Sequence, residues 1–153
     1  MTQKRFNPIQ LYFWANSMYR RHIPILPKVL QTILFFGFNA VVPFQAQIGR
    51  GSALAHGGSG VVLHEAVKIG ERVLICQQVT IGGSGYEEKV PEIGDDCYLG
   101  AGAKILGPIT IGEGCVIGAN AVVVKSVPAH CVAVGVPARV IRENIDAHQI
   151  ERW

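Results

Sequence analysis

Two of this chain's five histidines stand where it breaks its own pattern. His56 and His64 bracket the segment His56-Gly57-Gly58-Ser59-Gly60-Val61-Val62-Leu63-His64. Its glycines permit a tight bend and close backbone approach. A histidine exposed on such a bend can take a proton from an incoming hydroxyl near neutral pH. A histidine beside glycine serves equally well as a turn residue, so His56 needs further support. His64 reads first as a packing residue, then as an acceptor contact, then as an assistant to His56. Glu65, its neighbour, is a carboxylate that could orient either imidazole. His22, His130 and His148 fall in the arm, the terminal turn and the tail, and read as structural or surface residues. Arg139 places a fixed positive charge beside the last repeats, suited to a phosphate or to solvent.

The elements that must position these groups are set by a six-residue beat. Aliphatic residues recur at Leu63, Ile69, Ile75, Ile81, Ile93, Leu99, Ile105, Ile111, Ile117 and Val123. The one skip, Ile81 to Ile93, is itself two periods long. Neither a helix nor an alternating strand produces this spacing. Four residues after the anchors come further small or apolar residues, among them Val73, Val79, Cys97, Ala103, Cys115 and Ala121. Anchor and anchor-plus-four therefore face inward. Three six-residue sides make a triangular coil of about 18 residues, the hexapeptide β-helix arrangement. The fold class expected is an all-β solenoid carrying a short helical N-terminal arm.

The skip marks an excursion loop near residues 83–91, and loops on a rigid repeat body are where binding residues gather. Cys97 and Cys115 lie one coil apart and read as stacked small hydrophobes. Four cysteines with no CxxC pair do not make a disulfide framework, and a reducing cytoplasm fits them. A net charge of +3 argues against a dedicated nucleic-acid binder.

Residues 1–44 differ in composition from the repeat body. Nine of the twelve aromatics lie there, and no acidic residue precedes Glu65. Helices are expected over roughly Pro8 to His22 and Leu26 to Ala40, separated by the Pro24 to Pro27 breaker. The apolar run from Ile33 to Phe44 is too short to span a bilayer, and no secretion signal is evident. The arm either caps the open solenoid end and packs on neighbouring chains, or rests peripherally on an anionic membrane face. The body is expected over 45–141 and a helical tail over 142–153.

The stretches QQVTIGG (Gln77 to Gly83), IGDDCYLGAGAKILGPITIG (Ile93 to Gly112), IGANAVVVKSVP (Ile117 to Pro128) and GVPARVI (Gly135 to Ile141) carry a resemblance. The chain resembles the hexapeptide-repeat acyltransferases, in the serine-acetyltransferase-like branch that includes capsule and exopolysaccharide O-acetyltransferases. That resemblance implies a left-handed parallel β-helix, a homotrimer, and acetyl-CoA bound between neighbouring subunits with no metal. It implies His56 as the catalytic base. Gly83, Ala101 and Ala119 match positions along the pantetheine arm, and Lys125 and Arg139 match basic positions near the adenosine phosphates.

The chain also departs from the serine-specific pattern. Ala55 stands where an Asp precedes the histidine, Lys89-Val90 where Arg-His precedes the loop proline, and Val41 where an Asp would orient the base. These positions lead to the expectation of an O-acetyltransferase acting on a sugar or polysaccharide precursor. Serine O-acetylation, as in cysteine biosynthesis, is the alternative. A zinc enzyme of the carbonic-anhydrase kind needs three converging histidines, and a non-catalytic scaffold would bind no CoA.

Overall fold

A computed structural model describes residues 7–83, 85 and 89–146. The six-residue beat becomes a left-handed parallel β-helix of three faces. Face one stacks β1 (Gln47–Ile48), β4 (Lys68–Ile69), β7 (Glu92–Ile93) and β10 (Thr110–Ile111). Face two stacks β2 (Ala53–Leu54), β5 (Leu74–Ile75), β8 (Tyr98–Leu99) and β11 (Val116–Ile117). Face three stacks β3 (Val62–Leu63), β6 (Thr80–Gly82), β9 (Lys104–Leu106) and β12 (Val122–Val123). The strands are short because each face is only as long as one repeat. The aliphatic anchor of each strand points inward, so Leu63, Ile75, Ile81, Leu99, Ile105, Ile111 and Ile117 are all buried.

Register reports where the repeat is broken. Parallel partners lie 18 residues apart on the lower coils, as in Tyr98↔Val116 and Lys104↔Val122. The spacing widens to 24 where the excursion loop intervenes, as in Lys68↔Glu92. It is 21 for Gln47↔Lys68 and Ala53↔Leu74, because three extra residues enter the first coil before β3. The ladder keeps its pairing, and the surplus is pushed out at the corners.

Corners are tight. Arg72, Gln78, Asp96, Asn120 and His130 occupy left-handed backbone conformations at equivalent turns. Gly94 serves close stacking instead: a Cβ there would lie 2.6 Å from the Glu113 backbone nitrogen of the next coil. Beneath the corners between faces one and two runs a buried column of Cys97, Cys115 and Cys131. The Cys97 thiol donates to Gly112 O at 3.1 Å and the Cys115 thiol to Pro128 O at 2.9 Å. Contact with Cys115, together with burial, pushes the Cys97 thiol well above its ordinary range.

The arm forms two helices, α1 (Ile9–Arg20) and α2 (Leu26–Phe38), which pack together over the first coil. Ile9, Tyr12 and Ala15 recur on one side of α1 and are buried there with Leu34 of α2. Side chains and backbone of the arm then take over the hydrogen bonds that a preceding coil would have made. The Tyr12 hydroxyl donates to Ala46 O at 2.6 Å and accepts from Ile48 N at 3.0 Å, along β1. The Asn7 amide does the same for Leu54 in β2. Val41 pairs with β3 through Val61 O and Leu63 N. The outer face of α2 leaves Ile25, Leu26, Val29, Ile33 and Phe36 exposed. Among the described residues no helix is long and apolar enough to cross a membrane.

At the other end β13 (Val132–Gly135) extends face two, and β14 (Ala138–Arg142) folds back on it antiparallel. The tail expected to be helical from residue 142 begins inside β14. Residues 143–146 are not helical, and 147–153 lie outside the described residues.

Tyr12 yields a direct test. Tyr12→Phe removes one hydroxyl that satisfies two backbone groups, and should lower stability by about 1–3 kcal/mol, read from the urea midpoint. Burial also raises the Tyr12 phenol above its ordinary 10.0. The unfolded chain therefore loses that proton first, and stability falls as pH rises above 10. That alkaline decline should be shallower in the phenylalanine variant.

Candidate active site

The three surplus residues of the first coil form the feature that carries His56. Between β2 and β3 the corner uses residues 55–61, where the next coil uses only 76–79. Ala55–Gly58 make a single helical turn that is broken inside, with His56 at φ 49° and ψ 37°. Histidine tolerates this left-handed region better than most residues, at a cost of order 1–3 kcal/mol. The result lifts an exposed imidazole out of the corner. Gly58 turns the chain back inward at φ +72°, where a Cβ would lie 2.8 Å from Leu54 Cδ1. Among the described residues the His56 ring has no hydrogen-bond partner, and Val41, the nearest match to the Asp that the resemblance implies, is a half-buried aliphatic residue.

Along the same edge the corners continue through one bonded column. Gln78 N donates to Ser59 O at 2.8 Å, Gly102 N to Gln77 O at 2.9 Å, and Asn120 N to Ala101 O at 2.8 Å. Ala101 and Ala119 therefore lie on the His56 edge, displaced along the solenoid axis by about 5 Å per coil. Their methyl groups leave this edge low, so an extended chain could lie beside it.

The other sequence candidates fall elsewhere. His64, Glu65, Gly83 and Lys125 belong to the edge between faces three and one. The His64 Nδ1 accepts from Ala66 N at 3.1 Å, closing the turn after β3. A neutral ring in that arrangement carries its proton on Nε2 and is a donor there rather than a base. His64 and His56 therefore occupy opposite ends of face three within one chain. Arg139 is exposed on β14, its Nη1 donating to Ala138 O. An open groove on the His64 edge is lined by Ala66, Lys68, Lys89, Val90, Glu92 and Thr110, with Lys68 and Glu92 paired at 2.7 Å. His56 does not line it. Part of the excursion loop, residues 84 and 86–88, lies outside the described residues.

Residues 91–125 match the family model described as bacterial transferase hexapeptide (six repeats). A serine acetyltransferase of Bacillus pumilus is 38% identical over 146 residues, covering 94% of this chain and 67% of its own length. The chain belongs to the hexapeptide-repeat acyltransferase family. The relatives it matches are named as serine acetyltransferases, of the O-acetyltransferase class that the motifs implied. Among solved structures, soybean serine acetyltransferase complexed with serine superposes with a TM-score of 0.81 at 38% identity. It is covered over 56% of its chain and 88% of this one. Serine acetyltransferase from Brucella abortus in complex with coenzyme A gives 0.83 at 36% identity, covering 54% and 88%. This chain thus spans from about half to two thirds of the length of these relatives.

These matches correct the expected acceptor. The sugar or polysaccharide reading weighed the substitutions at Val41, Ala55 and Lys89-Val90. Likeness to serine acetyltransferases extends over nearly the whole chain and includes the arm. It supports the serine alternative, and the polysaccharide O-acetyltransferase branch finds no support among them.

Two contributors to this region were not visible as such in the sequence. Asn7 and Asn39 bond to the chain on either side of His56 from the helical arm. No spacing rule connects residues so far apart, and asparagine near a helix end reads as an ordinary cap.

The bend itself can be tested through Gly58. Gly58→Ala should destabilise the chain by about 1–3 kcal/mol and lower turnover, because both backbone conformation and Leu54 resist a methyl group. Calorimetry and initial rates on the same preparation measure both effects.

Proposed function

We propose that this protein is an acetyl-CoA-dependent serine O-acetyltransferase, working as a homotrimer with His56 as general base. The observation that carries the reading is the lifted, exposed His56 at the head of a low edge lined by Ala101 and Ala119. Likeness to serine acetyltransferases solved with serine and with coenzyme A supplies the two substrates.

In this reading the His56 imidazole accepts the proton of the serine hydroxyl as its oxygen attacks the thioester carbonyl. Backbone N–H groups of the glycine-rich bend face the developing oxyanion. Collapse of the tetrahedral intermediate breaks the C–S bond. The departing sulfur takes the proton from the imidazolium, giving O-acetylserine and CoA. Ala101 and Ala119 flank the pantetheine arm, and Gly83 lets it pass close to the backbone. Lys125 and Arg139 meet the phosphates.

The trimer is supported by the division of these groups between two edges of one prism. His56, Ala101 and Ala119 share one edge, whereas Gly83 and Lys125 share another. Packing three prisms around a common axis brings unlike edges of neighbouring protomers together. His64, Glu65 and the Lys68–Glu92 groove then belong to the neighbour's wall of each site, where the acceptor's ammonium and carboxylate need partners.

The assay is thiol release from acetyl-CoA with L-serine. The wild-type protein should turn over, and His56→Gln should lose at least about a hundred-fold in kcat while still binding CoA as a trimer. Absence of serine-dependent release would overturn the acceptor, and undiminished turnover by the glutamine variant would overturn the base. Arg139→Ala should raise the KM for acetyl-CoA about ten-fold at little cost to kcat.

A further inference from the structure

His56 sits at the apex of a five-residue span, 55–59, whose two ends are both held by the N-terminal arm. On one side Asn7 Nδ2 donates to Leu54 O at 3.1 Å, and Leu54 N donates to Asn7 Oδ1 at 3.3 Å. The same Oδ1 accepts from Ile9 N at 3.1 Å, so the first turn of α1 fixes the amide in place. On the other side Gly60 N donates to Asn39 O at 2.9 Å, and Asn39 is the left-handed residue ending α2. Between them a Cβ at Gly57 would lie 3.9 Å from Phe38 Cδ1.

β2 is the first strand of face two, so the outward backbone groups of Leu54 have no coil above them. One planar amide offers a donor and an acceptor together and substitutes for the missing strand. Tyr12 performs the parallel service on β1, on a different face from the histidine bend. The two caps are alike in kind. They differ in what lies next: Leu54 is two residues from His56, whereas Ala46 and Ile48 adjoin no reactive group.

The His56 ring has no hydrogen-bond partner among the described residues of its own chain, so within the protomer its aim is set by its backbone. That backbone sits in a sparsely populated conformation, which persists only when its surroundings over-determine it. We propose that Asn7 is a positioning residue for the reaction, its amide clamping Leu54 so that the adjoining bend holds His56 at the acceptor hydroxyl. This rests on His56 being the base.

The experiment compares Asn7→Ala with Tyr12→Phe and His56→Gln. Each of the first two removes one edge cap. Activity is measured at a temperature where calorimetry shows both variants folded, so that lost stability does not register as lost rate. Asn7→Ala should lower kcat ten-fold or more, with the KM for acetyl-CoA changed less than two-fold. Tyr12→Phe should leave kcat within two-fold. Should the alanine variant not fold, Asn7→Asp keeps the oxygen that accepts from Ile9 N and Leu54 N and sets a second carboxylate oxygen, in place of the donor, against Leu54 O. It should lower kcat in the same direction, again with the KM for acetyl-CoA changed less than two-fold. Wild-type kcat in the folded Asn7 variant, or an equal loss in Tyr12→Phe, would overturn the clamp. His56→Gln separates the two levels: full activity there removes the base, whereas inactivity there beside an active Asn7 variant removes only the clamp.

Discussion

Each coil of this protein is bonded to the next by backbone N–H groups donating along the solenoid axis, and that ladder governs everything else. It requires strands to stack in parallel register, so each face repeats the same two or three residues at the same height. Side chains inside the prism must therefore be similar from coil to coil, which is why aliphatic anchors sit above one another. Extra residues cannot enter a face without breaking the ladder. They leave at corners, as three residues before β3 and six beyond β6. His56, the proposed base, is on the first of these.

The ladder also has two unsatisfied ends, and the chain treats them differently. Near the C-terminus a strand turns back and pairs antiparallel, closing face two with its own backbone. Near the N-terminus, among the described residues, no strand is added to faces one and two. A tyrosine hydroxyl and an asparagine amide supply the missing partners there, and residues 39–41 supply them on face three. This places the helical arm in direct contact with the backbone beside His56. The hydrogen bonds that cap the end of the ladder thus also hold the bend that carries the proposed base.

The repeat body could be read from Leu63 onward because the inward positions tolerate only aliphatic or small residues, leaving a periodic trace. The two helices were legible through the prolines that separate them. His56 stood out because glycines interrupt the period there. Asn7 and Asn39 left no trace, since one amide and one carbonyl meeting a distant backbone impose no pattern on their neighbours. The acceptor was misread for a related reason. Ala55, Val41, Lys89 and Val90 are single positions, and losing a familiar contact at each says nothing of which other groups take its place.

The buried thiol column gives the solenoid an internal gauge. Cys97 and Cys115 are shielded while adjacent coils stay bonded, and their sulfur atoms are occupied with carbonyls of the coil below. A thiol reagent reaches them only when those coils part. The rate of labelling therefore measures how often the middle of the prism unzips, separately from fraying at either cap. A chain whose caps loosen while its centre holds would release Cys131, nearest the end, before the other two.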